Sequence, residues 1–246
     1  MGTTGEDRFP ATRYSVVDAV RSDEEDVRAR ALETLTAAYW RPVYKYLRIK
    51  WNAVPQDAED LTQDFFATAL KKDFFARYDA KQARFRTYLR VCLDGFASNQ
   101  RKAARRLKRG GTTQHVSLDF ALAEDELRAN QLRDDVDTEE FFRREWIRAL
   151  FGDAVERLRQ QCEAAGKQVH FALFERYDLD AQGEDRTLTY AQLAREVDLP
   201  VTQVTNYLAF ARREFRRLVL ERLREITGSD HEFRSEAREL LGVDLQ

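Results

Sequence analysis

Apolar residues recur at three- and four-residue intervals through most of the chain, and nowhere do they alternate as in a half-buried strand. The pattern predicts an all-α protein. Residues 1–21 read as an arm with a short helix. Ser22 and Glu25 have the spacing of a capping box and open a helical stretch to about Lys50. Leu32, Leu35 and Tyr39 share one face of it, and Trp40, Val43, Tyr44 and Leu47 continue the pattern. Pro42 is expected to kink or break this helix, because it has no N–H to donate. A second helix starts at Pro55, with Asp57 as its N-cap. At about 100° per residue, Ala58, Leu61, Phe65 and Ala69 fall on one face and Glu59, Asp60, Gln63 and Asp64 on the opposite one. A loop over 72–84 leads to a helix from about Phe85 to Lys108, with Leu89, Cys92 and Phe96 inward and a basic second half. Helical patterns return near 139–161, with Phe142, Trp146 and Leu150, and near 168–177, before a polar loop at 178–185.

The strongest local signal lies at 189–218. A helix from Tyr190 to Val197, with Leu193 and Ala194 packing, is followed by the break Asp198-Leu199-Pro200. Position 198 is expected to take a left-handed backbone, which Asp tolerates better than most residues. Pro200 suits the start of the next helix. There Val204, Tyr207, Leu208, Ala211, Phe215 and Leu218 cluster on one side. Thr202, Asn206, Arg213 and Arg217 line the other, flanked by Gln203, Thr205, Ala209 and Arg216. This is the pattern of a helix-turn-helix, with short polar side chains placed to read base edges and arginines placed to hold phosphates.

Composition agrees with helices: Gly (10) and Pro (4) are scarce for 246 residues. Cys92 and Cys162 stand far apart, and His115, His170 and His231 are scattered, so neither a disulfide framework nor a zinc ribbon is expected. No HExxH, Walker or dinucleotide-binding glycine motif occurs, and no cofactor or metal is expected. No apolar run reaches the roughly 18 residues of a membrane span. Residues 1–10 have no apolar core of the signal-peptide kind. A reduced, soluble, cytoplasmic protein is expected.

The net charge of −2 hides segregation. Residues 81–111 hold ten basic residues against Asp94, a balance of +9. Residues 112–140 hold nine acidic residues against Arg128 and Arg133, a balance of −7. The basic block points to a polyanion partner. The acidic block reads as a linker between two helical domains, at 23–111 and 141–228, with an N-terminal extension at 1–22 and a C-terminal tail at 229–246.

Asp57, Glu59, Asp60 and Asp64 have the residue types of an acid/base or Mg²⁺ site. No second acidic helix and no His or Lys motif joins them, so a partner-binding face is favoured over an enzyme. A stand-alone helix-turn-helix regulator accounts for 189–218 but leaves the 57–66 helix without a role. Tyr78, Phe85, Trp40, Trp51 and Trp146 read as core aromatics, and Cys92 as a buried small hydrophobe.

A helical domain with a basic helix, an acidic linker and then a helix-turn-helix resembles the extracytoplasmic-function sigma factors of bacterial RNA polymerase. "PQDAEDLTQDFF" (55–66) is similar to the family's "DAEDLxQexF" helix, which binds the polymerase largest subunit. The resemblance implies that Asp60, Gln63 and Asp64, supported by Glu59, contact core polymerase. "FRTYLRVCLDGFASNQRKAARR" (85–106) is similar to the helix that opens promoter DNA at the minus-ten element. Tyr88, Gly95 and Asn99 stand where the family usually has Trp, Asn and Asp. The resemblance implies DNA contacts by Arg86, Arg90, Asn99, Arg101, Lys102, Arg105 and Arg106, and capture of a flipped base by the loop at 76–84. The helix-turn-helix resembles the minus-thirty-five-reading domain, implying DNA contacts by Thr202, Gln203, Thr205 and Asn206. Thr205, Tyr207 and Phe210 replace residues that are often basic, which shifts phosphate contacts to Arg212, Arg213, Arg216 and Arg217. The expected partners are core RNA polymerase, promoter DNA and a regulator such as an anti-sigma protein. The amphipathic tail, with Phe233, Leu240 and Leu241, is expected to pack on the second domain or bind that regulator.

Overall fold

A computed structural model describes residues 15–71, 74–104, 118–129, 137–180 and 188–243. These residues form helices and connecting turns, with no strand among them. Their contacts divide into two compact units. The first runs to Trp146 and takes in Arg224–Ser235; the second comprises Ile147–Leu223 and the chain from Glu236.

In the first unit, α1 (Val16–Ala19) is capped by Ser15, whose Oγ accepts from the Asp18 amide. The expected capping box at Ser22 is not formed. Helix α2 (Glu25–Lys50) has Glu24 at its N-cap without a side-chain bond, and Ser22 Oγ accepts from the Glu24 amide two residues on. Pro42 does not end α2, which runs unbroken for 26 residues. Its packing accounts for this: Tyr39, Trp40, Val43, Tyr44, Tyr46 and Leu47 around the proline are all buried. Burial of one such side chain contributes about 1.5–3 kcal/mol, so several together outweigh the roughly 3 kcal/mol cost of an interior proline.

Helix α3 (Pro55–Lys71) begins at Pro55 as expected, but Asp57 lies in its first turn rather than at the cap. The ladder starts from the Val54 carbonyl, which accepts from the Ala58 amide at 2.9 Å. Pro55 fits there because a first-turn residue needs no N–H. Ala58, Thr62, Phe65, Phe66 and Ala69 are buried on its inner face. A 3₁₀ turn (Phe75–Arg77) precedes α4 (Phe85–Ala104), which buries Phe85, Leu89, Leu93 and Phe96. Edge-to-face pairs lock these helices together: Phe65 with Phe96 at 5.6 Å and Tyr39 with Phe85 at 5.6 Å.

The stretch 112–140 differs from the expected bare linker. It contains α5 (Phe120–Ala129) and the start of α6 (Thr138–Ala164). Phe120 packs against Trp40 and Tyr44 on α2. Glu124 takes both arms of the Arg48 guanidinium, at 2.8 and 2.7 Å. Lys45, 2 % exposed, donates to Glu126 and to the equally buried Glu145, the latter at 2.7 Å. The apolar face of α5 is only Phe120, Ala123 and Leu127, too short to stand out in an acidic run.

In the second unit, α6 continues from Ile147 and turns at Gly166, whose φ of +67° suits a residue without a Cβ. Helix α7 (Gln168–Phe174) passes into a wider π turn over Glu175–Leu179. Helix α8 (Tyr190–Glu196) opens with a full capping box: Thr189 Oγ1 accepts from the Gln192 amide, and Gln192 Oε1 accepts from the Thr189 amide. Asp198 has φ +51°, as expected, and α9 (Val201–Ile226) follows. Leu193, Ala194, Val204, Leu208, Ala211 and Leu218 meet in the core. Helix α10 (Asp230–Leu241) closes the described chain. Among the described residues no helix is long and apolar enough to cross a membrane.

Candidate functional site

The polar face of α3 borders a groove of about 540 Å³ in the first unit. Asp57, Asp60, Leu61 and Asp64 line one side of it, and Trp51, Asn52 and Arg101 another. Asn52 turns the chain there with φ +47°, a left-handed conformation that Asn tolerates. The Arg101 guanidinium lies 4.9 Å from the centre of the Trp51 ring and donates to the Trp51 carbonyl. Asp60 is exposed, and Glu59 and Asp64 are half-buried. Gln63 fits its expected outward role less well, because its Oε1 is buried and has no hydrogen-bond partner. Among the described residues no three His, Cys, Asp or Glu side chains are placed to hold a metal ion.

The basic residues of α4 separate into two groups. Arg86 is buried, with its guanidinium 5.4 Å from the centre of the Trp146 ring. Arg90 is held by Asp94 at 3.3 Å and Glu139 at 3.4 Å. Neither is available to nucleic acid in this arrangement, contrary to expectation. The cause is packing: the first half of α4 faces the start of α6, which supplies Trp146 and Glu139. Asn99, Arg101 and Lys102 in the second half are exposed. Arg105 and Arg106 lie outside the described residues.

Tyr78 and Phe85 flank the loop before α4 and are 5 % and 0 % exposed. They are core residues, as their aromatic character suggested. Phe85 meets Tyr78 edge-on at 5.2 Å. Arg21 donates to the carbonyls of Phe75 and Tyr78 and so ties this loop to the end of α1.

On α9, Thr202, Thr205, Asn206, Arg213, Arg216 and Arg217 are exposed along the face expected to read nucleic acid. Gln203 is half-buried and donates to the Tyr207 hydroxyl. Arg212 departs from expectation. Its Nε and terminal nitrogen grip both oxygens of Asp178, at 2.8 to 3.2 Å, and its other terminal nitrogen donates to Tyr190 at 2.9 Å. Asp178 raises the Arg212 guanidinium well above its ordinary range, by hydrogen bonding first. This arginine staples α9 to the π turn and to α8. Arg217 is engaged by Glu214 at 2.9 Å, by Glu221, and by Gln161 at 3.1 Å. Arg213 has a side chain 68 % exposed, with its Nε 3.7 Å from a Glu214 carboxylate oxygen.

Two further side chains from α7 and the turn before it border this face. The His170 ring stacks on Tyr207 with centroids 3.7 Å apart and planes at 20°. Lys167 Nζ sits 4.0 Å from the centre of the Phe210 ring, which the Arg213 guanidinium approaches at 5.6 Å. Burial, reinforced by Lys167, lowers the His170 pKa. Tyr207 and Phe210 are therefore explained by α7 lying against them. Helical periodicity on α9 alone carried no signal for that neighbour.

Comparison with protein-family models, with curated proteins and with solved structures gives no match.

Proposed function

We propose that this protein is a sigma factor of the extracytoplasmic-function type, which binds core RNA polymerase and directs promoter recognition and opening. The observation that carries the reading is the acidic face of α3, with Asp57 and Asp60 exposed beside its groove, on the same chain as a capped helix, a left-handed turn and a polar-then-basic helix. A DNA-binding regulator acting alone needs only the second of these.

On this reading Asp60, with Glu59, Gln63 and Asp64, forms the polymerase contact. Residues 190–226 are the helix-turn-helix that reads upstream duplex. Thr202, Thr205 and Asn206 face base edges, while Arg213 and Arg216 face phosphates. Asn99, Arg101 and Lys102 on α4 serve the melted strand. The acid blocks and net charge of −2 make the free chain a weak DNA binder, so recognition depends on being carried by polymerase. The chain itself is not an enzyme; bond formation in RNA belongs to the polymerase.

The test is co-elution with bacterial core RNA polymerase by size exclusion, wild type against Asp60→Ala. Co-elution that the substitution weakens is the expected result. Wild-type chain that never co-elutes, yet binds duplex DNA tightly alone, would replace the sigma reading with a stand-alone regulator.

A further inference from the structure

The C-terminal segment Arg224–Ser235 belongs with the first unit, whereas the tail from Glu236 belongs with the second unit as expected. It sits over the loop at 76–84, to which the sigma-factor resemblance assigns a flipped base, and over the start of α4. Glu232 is 5 % exposed and accepts from the Phe85 amide at 2.7 Å, the Gly228 amide at 2.8 Å and the Tyr78 hydroxyl at 3.0 Å. The Phe85 amide opens α4, where the helix dipole favours an anion. Gly228 lies so close to Tyr78 that a methyl group there would collide with the ring. Arg84 donates to Ser235 at 3.0 Å, and Tyr39 to the Ile226 carbonyl at 3.4 Å. A carboxylate that accepts from these three donors, placed beside aromatic rings at the start of a basic helix, takes up hydrogen bonds that a splayed nucleotide would use.

We infer that Arg224–Ser235 is an intramolecular cover over Tyr78 and Phe85, which must leave before single-stranded DNA can be held there. The inference rests on the proposed reading of this loop as a nucleic-acid site. The cover is tethered directly to the end of α9, so it competes at high effective concentration and needs no partner to close. Opening requires breaking the Glu232 bonds and lifting Phe233, 6 % exposed, out of the core. The full chain therefore meets single strands in a closed form until polymerase or promoter binding releases the segment.

The experiment measures affinity for a labelled, mixed-sequence single-stranded oligonucleotide by fluorescence anisotropy, using the full chain with and without core polymerase. Glu232→Gln weakens the acceptor while keeping its shape. Tyr78→Phe removes one hydrogen bond and keeps the ring. If the closed form holds about nine-tenths of the population, each tightens binding up to about tenfold. Glu232→Gln combined with Tyr78→Ala should lose the gain. Faster hydrogen exchange at the Phe85 amide in Glu232→Gln is the accompanying sign of opening. Unchanged or weaker binding in both single variants, with thermal unfolding showing both to be folded, would overturn the cover and leave Glu232 a purely structural cap. Polymerase co-elution is scored separately. If the wild type fails to co-elute while Glu232→Gln still tightens single-strand binding, the sigma reading falls and the cover stands.

Discussion

Asp198 and Lys45 illustrate how single residues set the tolerance of each unit. Asp198 turns the chain between α8 and α9 with φ +51°. A β-branched side chain meets a steric cost of about 1–2 kcal/mol in this conformation. Asp198→Val is expected to destabilise the second unit by about that amount, and Asp198→Gly to be close to neutral, as read by urea unfolding. Equal stabilities for Val and Gly would contradict a strained turn. Lys45 bridges Glu126 and Glu145, and it is buried with the latter. Lys45→Ala leaves Glu145 buried without that cation, a change that typically costs about 3–5 kcal/mol. Thermal unfolding of the full chain measures it, and a shift below about 1 kcal/mol would mean that water reaches Glu145. The cysteines form a third residue-scale test. Burial raises the Cys92 and Cys162 thiols above their ordinary pKa, so at pH 8 less thiolate is present than in an exposed cysteine. Iodoacetamide should label both slowly in the folded chain and at the ordinary rate in urea; ordinary-rate labelling of the folded chain would show the thiols to be accessible.

At the scale of elements, Arg212 and Arg213 are neighbours on α9 with different tasks. Arg212 is committed to Asp178 and Tyr190, and Arg213 projects outward. Arg212→Ala is expected to lower stability by about 1 kcal/mol, the bidentate geometry being discounted for partial exposure. Any loss of DNA affinity should then follow that loss of fold. A lowered DNA affinity with unchanged stability would return Arg212 to the phosphate-binding set. The sequence made the two look alike because helical angle places a side chain on a face without revealing what another segment brings to it. The same limit explains Arg86 and Arg90, whose partners Trp146 and Glu139 lie 60 and 49 residues away in sequence. Where the cause is local, the structure follows the reading closely. The apolar faces of α3, α8 and α9 and the left-handed Asp198 were legible because period and turn chemistry are short-range. Pro42 was misread for the complementary reason: burial around it is tertiary, and it outweighs a local cost. Helix α5 was hidden because its apolar face is only three residues long and its ion pairs with Arg48 and Lys45 on α2 leave no periodic signal.

For the whole molecule, the question is how a chain of net charge −2 engages DNA. Two of the acids that set this balance, Glu124 and Glu126, are paired with cations inside the first unit. They hold the fold rather than forming a free acidic surface, and half-buried pairs are screened little by salt. Among the described residues, Arg213 and Arg216 on α9 and Lys102 on α4 are exposed cations on the faces that the proposed function gives to DNA. On the proposed function, the salt dependence of promoter binding by the polymerase complex therefore reports individual arginines. Arg213→Ala should weaken binding to all promoter sequences alike and reduce the slope of log affinity against log salt by about 1. Asn206→Ala should leave that slope unchanged and instead relax the preference at one base pair, by about 1–3 kcal/mol. Titrations at several salt concentrations, with matched and mismatched upstream elements, separate the two effects. If Arg213→Ala changed the preference and Asn206→Ala changed the slope, α9 would lie on DNA in another register, with its arginines reading bases and its first turn holding phosphates.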